Sequence, residues 1–160
     1  MPIKVGDRLP EAKFRMMTSD GPAWKTTDEI FKGKKVALFA VPGAFTGTCH
    51  KMHVPSITQH ADAIKAKGVN TVAVTSVNDV FVMDAWKKAT GANKIDFLAD
   101  GNGDFAKAID LTFDGSGNGL GTRSRRYAML VEDGVVKMLN IEEAPGKVEV
   151  SGGDALLKQL

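Results

Sequence analysis

The sequence contains one cysteine, Cys49, among 160 residues. A lone cysteine excludes a disulfide framework within the chain, and it excludes a cysteine-rich zinc or iron–sulfur site. If thiol redox chemistry occurs, the second thiol must come from another molecule. Long apolar runs are also missing: the longest, from Val36 to Pro42, stops at Gly43, far short of the roughly 20 residues that cross a bilayer. No charge of one sign predominates, because 21 Lys and Arg face 19 Asp and Glu for a net charge of +2. That balance supplies no field for a phosphate backbone, so neither nucleic acid nor membrane is an expected partner. The first eleven residues lack both the apolar core of a secretory signal and the Arg-rich amphipathic pattern of an organelle leader, which makes the cytoplasm the expected location.

What is present fits a packed α/β domain. Hydrophobic residues make up 43% and charged residues 25% of the chain, a globular mixture, and no repeat or low-complexity linker divides residues 1–160, which read as one domain. The run from Lys34 to Pro42 is apolar at its centre and predicts a strand covered on both faces. Residues 57–67 place Ile57, Ala61 and Ile64 at helical spacing before Gly68. A second buried strand is expected over 69–77 and a third over 95–99. Between them, 79–89 predicts a helix with Phe81, Val82, Ala85 and Trp86 inward. A short helix over 103–109, a glycine-rich loop of low order over 112–122, an antiparallel pair over 126–131 and 135–140 around Glu132-Asp133-Gly134, and a closing helix over 153–160 complete the reading. An N-terminal hairpin is expected around Phe14 to Met17. The sum is a mixed central sheet with helices on both faces.

The chemistry gathers around Cys49. With Thr46 as helix N-cap, Gly47, Thr48 and Cys49 occupy the first helical positions, where unpaired backbone amides favour a thiolate. Pro42 and Pro55 bracket the segment, and Pro55 is expected to disrupt the helix after its first turns. The competing reading makes Cys49 a small buried hydrophobe. His53 lies four residues beyond Cys49 and reads chiefly as a satisfied structural histidine. His50, His53 and His60 could be counted with Cys49 as metal ligands, but Cys49 and His50 diverge by about 100° on a helix, and no metal is expected. The glycines at 115–121 lack the Lys-Ser or Lys-Thr pair of a phosphate loop, so no nucleotide cofactor is expected either. Phe45, Phe81, Trp86 and Phe105 read as core or interface aromatics.

The segment V-P-G-A-F-T-G-T-C-H-K-M-H-V-P, residues 41–55, resembles the active-site segment of peroxiredoxins, with the P-x-x-x-T-x-x-C core at Pro42, Thr46 and Cys49. Residues 76–86 and 121–136 resemble the peroxiredoxin-5 (type II) subfamily, and the likeness runs from Gly6 to Leu160. It implies a thioredoxin-like fold, a homodimer, and reduction of hydrogen peroxide and alkyl hydroperoxides. It also implies roles: Cys49 as peroxidatic thiolate, Thr46 and Arg126 holding the peroxide oxygens, Pro42 shielding the sulfur. Arg126 matches the family's arginine because it directly precedes the aromatic Tyr127, which Arg123 and Arg125 do not.

Several positions depart from the family pattern. Gly47 stands where a second proline is common, His50 where serine is common, and Ser56 where glycine is frequent. Val74 and Val150 occupy the positions of a resolving cysteine, so the sulfenic acid must be resolved by an external thiol. Glutathione with glutaredoxin is the expected reductant and thioredoxin the alternative. A redox sensor without turnover and a thiol–disulfide oxidoreductase are the competing functions; the second is weakened by the absence of C-x-x-C.

Overall fold

The computed structural model describes residues 2–160. Strands β1 (Lys13–Thr18) and β2 (Gly21–Thr26) form an antiparallel hairpin. Helix α1 (Thr27–Phe31) follows at once, started by a capping box in which Thr26 and Glu29 satisfy each other's backbone amides. Then come β3 (Lys35–Ala40), α2 (Val54–Ala66), β4 (Thr71–Ser76), α3 (Val80–Thr90), β5 (Asp96–Ala99) and α4 (Asp104–Ala108). The remaining elements are the short strands β6 (Thr112–Asp114) and β7 (Thr122–Ser124), the pair β8 (Tyr127–Glu132) and β9 (Val135–Ile141), and α5 (Gly153–Gln159).

Seven strands form one sheet in the order β2-β1-β5-β4-β3-β8-β9. β3, β4 and β5 are parallel, while β8 joins β3 antiparallel and β1 joins β5 antiparallel. Side chains alternate across β3. Ala37 and Phe39 enter a core with Ile57, Ala61 and Ile64 of α2, Met83 and Trp86 of α3 and Leu156 of α5. Val36, Leu38 and Ala40 enter a second core with Phe31 of α1 and Phe105 of α4. Burial on both faces explains why the centre of β3 has no polar position. This is the thioredoxin-like mixed sheet, with helices on both faces and an N-terminal hairpin.

Three expectations are corrected. α3 turns Val80, Met83 and Trp86 inward, leaving Phe81 65% exposed, Ala85 exposed and Val82 half-buried. The Asp79 carboxylate accepts from Val82 N–H and fixes where the helix starts; Phe81, one residue past the buried stripe, is carried about 100° away. The glycine-rich stretch is an ordered hairpin, with β6 paired to β7 across a turn at Ser116–Asn118. Asp114 accepts from Ser116 N–H there, and Gly119 and Gly121 take positive φ. Pro55 distorts the helix without ending it. Helical backbone begins at Gly47 and runs through Pro55 to Ala66, with one widened π turn at Cys49–His53.

Candidate active site

The site lies where β3 ends. Ala40 pairs with Tyr127, the first residue of β8, so the register sets Arg126 beside the chain as it leaves β3. Pro42 and Gly43 are buried, and Ala44 N–H donates to Asn78 Oδ1 at 2.9 Å, tying the loop to the end of β4. Gly43 has a steric reason to be glycine: a Cβ there would stand 2.9 Å from Arg123 Nη1 and 3.0 Å from Thr46 Cγ2. Phe45 takes φ +60 and is 49% exposed, an unusual backbone state for an aromatic residue. Its ring stacks on His50 at 5.7 Å.

Pro55 accounts for the π turn. It has no N–H for the Lys51 carbonyl, and its ring would crowd that oxygen. The preceding turn widens, and Val54 N–H donates five residues back to the Cys49 carbonyl. Cys49 and His53 thus share one side of the turn and are both buried.

Arg126 joins them. It is 2% exposed and spreads three nitrogens over three acceptors: Nη2 donates to Cys49 Sγ at 3.0 Å, Nη1 to His53 Nδ1 at 2.8 Å, and Nε to the Pro145 carbonyl at 2.9 Å. A guanidinium fork can hold such an arrangement and an ammonium cannot. Donation to sulfur is strongest when the sulfur is anionic, so the geometry suits a nucleophilic thiolate. Thr46 Oγ1 donates to the Gly43 carbonyl at 2.6 Å. Rather than capping an amide with its hydroxyl oxygen, Thr46 spends its proton on a carbonyl and leaves its oxygen lone pairs to accept from a ligand. Its own carbonyl accepts from His50 N–H at 2.9 Å, which closes the first turn.

Among the three arginines, Arg126 reaches the sulfur. Arg125 Nη2 donates to the Glu142 carbonyl, and Arg123 Nη1 donates to the Pro42 carbonyl at 3.2 Å. Arg123 therefore braces the loop that carries Pro42. The histidines separate. His50 Nδ1 accepts from Trp86 Nε1 at 2.9 Å, His60 lies 2.8 Å from the Ser56 carbonyl, and His53 lies between Arg126 and the Ser151 carbonyl. Among the described residues no three His, Cys, Asp or Glu side chains converge as metal ligands.

The Redoxin family model matches residues 4–157. The chain belongs to the peroxiredoxin family. It is 45% identical over 161 residues to Peroxiredoxin-2C of Oryza sativa subsp. japonica, covering 99% of both chains. The structure of reduced Prx3 in complex with H2O2 from Vibrio vulnificus superposes with a TM-score of 0.94 at 48% identity, over 98% of each chain. Peroxiredoxin 5 from Alvinella pompejana gives 0.85 at 35% identity, over 98% of this chain and 97% of that one.

Beside the family's residues stands a part of the site that sequence reading did not find. Residues 142–151 form a strap over Arg126. The buried Glu142 carboxylate, through Oε2, accepts from the N–H groups of Glu149, Val150 and Ser151, each at 2.8 Å, and from Ser151 Oγ at 2.6 Å. Burial pushes the Glu142 carboxyl up, but these four donors outweigh it and hold the group below its ordinary value. The strap presents carbonyls to the site: Pro145 to Arg126, Gly146 to Thr48 Oγ1 at 3.3 Å, and Ser151 to His53 Nε2 at 2.7 Å. A pair of glutamates before Pro145 gives no signal of this in the sequence, because carbonyl acceptors have no residue type.

Proposed function

We propose that this peroxiredoxin is a type II (peroxiredoxin-5-like) enzyme that reduces hydrogen peroxide and alkyl hydroperoxides at Cys49, with glutathione and glutaredoxin as its reductant. The observation that carries the reading is the 3.0 Å contact of Arg126 Nη2 with the sulfur of the single cysteine. Cys49 Sγ attacks one peroxide oxygen. The S–O bond forms as the O–O bond breaks, the sulfur becomes a sulfenic acid, and the departing oxygen takes a proton to leave as water or alcohol. Arg126 donates to the peroxide oxygens, and Thr46, its own proton held by Gly43, accepts the peroxide O–H. Pro42 covers the sulfur.

The second half-reaction needs an outside thiol. Glutathione condenses with the sulfenic acid, releasing water and leaving a mixed disulfide on Cys49; a second thiol then exchanges it off and restores the cysteine. Cys49 is 1% exposed, and a tripeptide thiol needs less of it uncovered than a protein thiol, which favours glutathione over thioredoxin. Residues 1–160 act as one domain in the cytoplasm. We assign a homodimer to the surface carrying Phe45 and Phe81, two exposed aromatics flanking the Ala44–Asn78 contact.

Intact mass tests the cycle. One equivalent of peroxide on reduced protein adds one oxygen, and glutathione converts that species to one glutathionyl adduct, which glutaredoxin removes with NADPH-coupled turnover. Turnover with thioredoxin alone overturns the glutathione assignment and leaves the peroxidase. Absence of the sulfenic acid overturns the peroxidase. Sedimentation as a monomer across micromolar concentrations overturns the dimer.

A further inference from the structure

We propose that Asn78 is a positioning residue for Thr46: its side-chain oxygen fixes the plane of the Gly43–Ala44 peptide, whose carbonyl takes the Thr46 hydroxyl proton and so turns the Thr46 lone pairs toward the peroxide. The proposal rests on Cys49 as the nucleophile and on Thr46 as the acceptor of the peroxide O–H, and it assigns what sets that acceptor's direction.

One peptide unit carries two hydrogen bonds that point opposite ways. The Gly43 carbonyl accepts from Thr46 Oγ1 at 2.6 Å, and the Ala44 N–H of the same peptide donates to Asn78 Oδ1 at 2.9 Å. A trans peptide is planar, with its C=O and N–H on opposite sides, so what holds the N–H also aims the carbonyl. A hydroxyl has a single proton. While the Gly43 carbonyl holds it, the Thr46 oxygen meets a ligand as an acceptor. If the carbonyl turns away, the proton is free to swing into the site and meets the peroxide as a second donor beside Arg126, and the peroxide O–H loses its acceptor.

The loop needs an outside anchor for this plane. Phe45, next along the chain, sits at φ +60, which an aromatic residue does not prefer. Asn78 is itself aimed. A backbone N–H only donates, so the carboxamide atom facing Ala44 is oxygen. Ser76 Oγ donates to that same oxygen at 2.6 Å. Ser76 is fully buried at the end of β4, and its carbonyl accepts from Asp100 N–H at 3.0 Å just past β5. On the other side of Asn78, Asp79 caps α3. The half-buried Asn78 therefore hangs between two fixed points, and a line of contacts runs from Ser76 through Asn78 and the Gly43–Ala44 peptide to the Thr46 hydroxyl.

The test compares Asn78→Ala, which removes the acceptor, with Asn78→Asp, which keeps an oxygen for Ala44 and Ser76, each made in the parent and in Thr46→Val. Stopped-flow tryptophan fluorescence reads the rate of hydrogen peroxide attack, and alkylation by chloroacetamide reads the thiolate without any need for a threonine acceptor. In the parent background Asn78→Ala slows peroxide attack about 10- to 100-fold, the scale of a misplaced catalytic group, and slows alkylation far less, while Asn78→Asp recovers most of the loss. In Thr46→Val the same Asn78→Ala change has no further effect beyond about twofold, because two residues that act through one group do not add. Ser76→Ala, which frees the Asn78 oxygen without removing it, runs through the same cycle if Asn78→Ala does not fold; a loss of peroxide rate that vanishes in Thr46→Val supports the line of contacts. A folded variant with the parent's peroxide rate, peroxide and alkylation rates that fall together, an Asp variant no better than Ala, or an undiminished loss in Thr46→Val overturns the role of Asn78 alone. Thr46→Val at the parent's rate overturns Thr46 and Asn78 together and leaves Cys49 as the nucleophile. A parent protein inert to peroxide overturns the peroxidase reading and this proposal with it.

Discussion

Two segments meet over Cys49 and work by opposite means. Residues 42–54 contribute side chains: the Pro42 ring, the Thr46 hydroxyl, the Cys49 sulfur and the His53 imidazole. Residues 142–151 contribute backbone carbonyls, from Pro145, Gly146 and Ser151, and the side chains of Glu142 and Ser151 serve to hold them. The first segment performs chemistry and is replaceable one position at a time. The second holds Arg126 through the Pro145 carbonyl, and its effect is spread over a shape. Substitutions in the first should change rates with the fold kept, while perturbation of the second should couple stability to geometry.

The sharpest separation is Cys49→Ser. Serine nearly matches cysteine in size and can still accept from Arg126 Nη2, but its hydroxyl does not ionise at neutral pH. Peroxidase turnover is lost while the circular dichroism spectrum stays that of the parent; turnover retained would remove Cys49 from the chemistry. Next is Arg126→Lys, which keeps the charge and loses the fork. One ammonium cannot serve Cys49, His53 and Pro145 in their present positions. Peroxide attack slows about 100-fold, on the scale of losing a donor aimed at the reacting oxygens, and the rate falls further than the melting temperature would suggest. Equal second-order rates in variant and parent would place the donor elsewhere.

The same contrast explains what was legible in the sequence. Pro42, Thr46 and Cys49 carry their meaning in residue type and spacing within one loop. Arg126 was separable from Arg123 and Arg125 only through the resemblance, whose arginine directly precedes the aromatic that enters the strand, here Tyr127 at the start of β8. The mixed sheet was readable from the apolar runs themselves and the turn residues between them. The facing of α3 was not, because Phe81 and Val82 are as apolar as Met83 and only the Asp79 cap decides among them. The hairpin over 112–124 was hidden because glycines mark flexible loops and tight turns alike. Glu142 and Ser151 were missed because their task is to fix carbonyl oxygens, which every residue has. The π turn was half legible: Pro55 announced an irregularity, but the widened turn that accommodates it depends on the tertiary setting.

Acid should expose the coupling of the strap to stability. His53 is held near pKa 4 in the folded protein against an ordinary 6.5, so the unfolded chain binds an extra proton between those values. Stability is fully present above about pH 6.5 and is lost as pH falls toward 4, with a limiting slope of about 1.4 kcal/mol per pH unit and a total of roughly 3 kcal/mol. Glu142, also held below its ordinary value, loses its contribution in the same direction as pH falls through its lowered pKa. Urea titrations of the parent and of His53→Asn across this window check the sign. The variant's stability changes less between pH 6.5 and 4, and parallel curves would mean that another group carries the acid sensitivity.

The smallest effect comes from the one hydroxyl that joins the two segments directly. Thr48 Oγ1 donates to the Gly146 carbonyl at 3.3 Å in an exposed setting, where water can replace it, so Thr48→Val should cost no more than about 1 kcal/mol. Its value lies in the comparison with His53. If the strap is held mainly by Glu142 and reaches Cys49 through His53 and Arg126, cutting the Thr48 bond leaves the peroxide rate within about twofold of the parent, since a loss of this size at a surface contact moves none of the buried acceptors. If instead the strap is held by contact with the Cys49 turn itself, Thr48→Val slows peroxide attack as much as His53→Leu, which removes the ring's contacts to Ser151 and Arg126. Stopped-flow rates on the two variants, set beside their urea midpoints, decide between a strap that acts on the sulfur through the arginine and one that acts by packing on the helix that carries it.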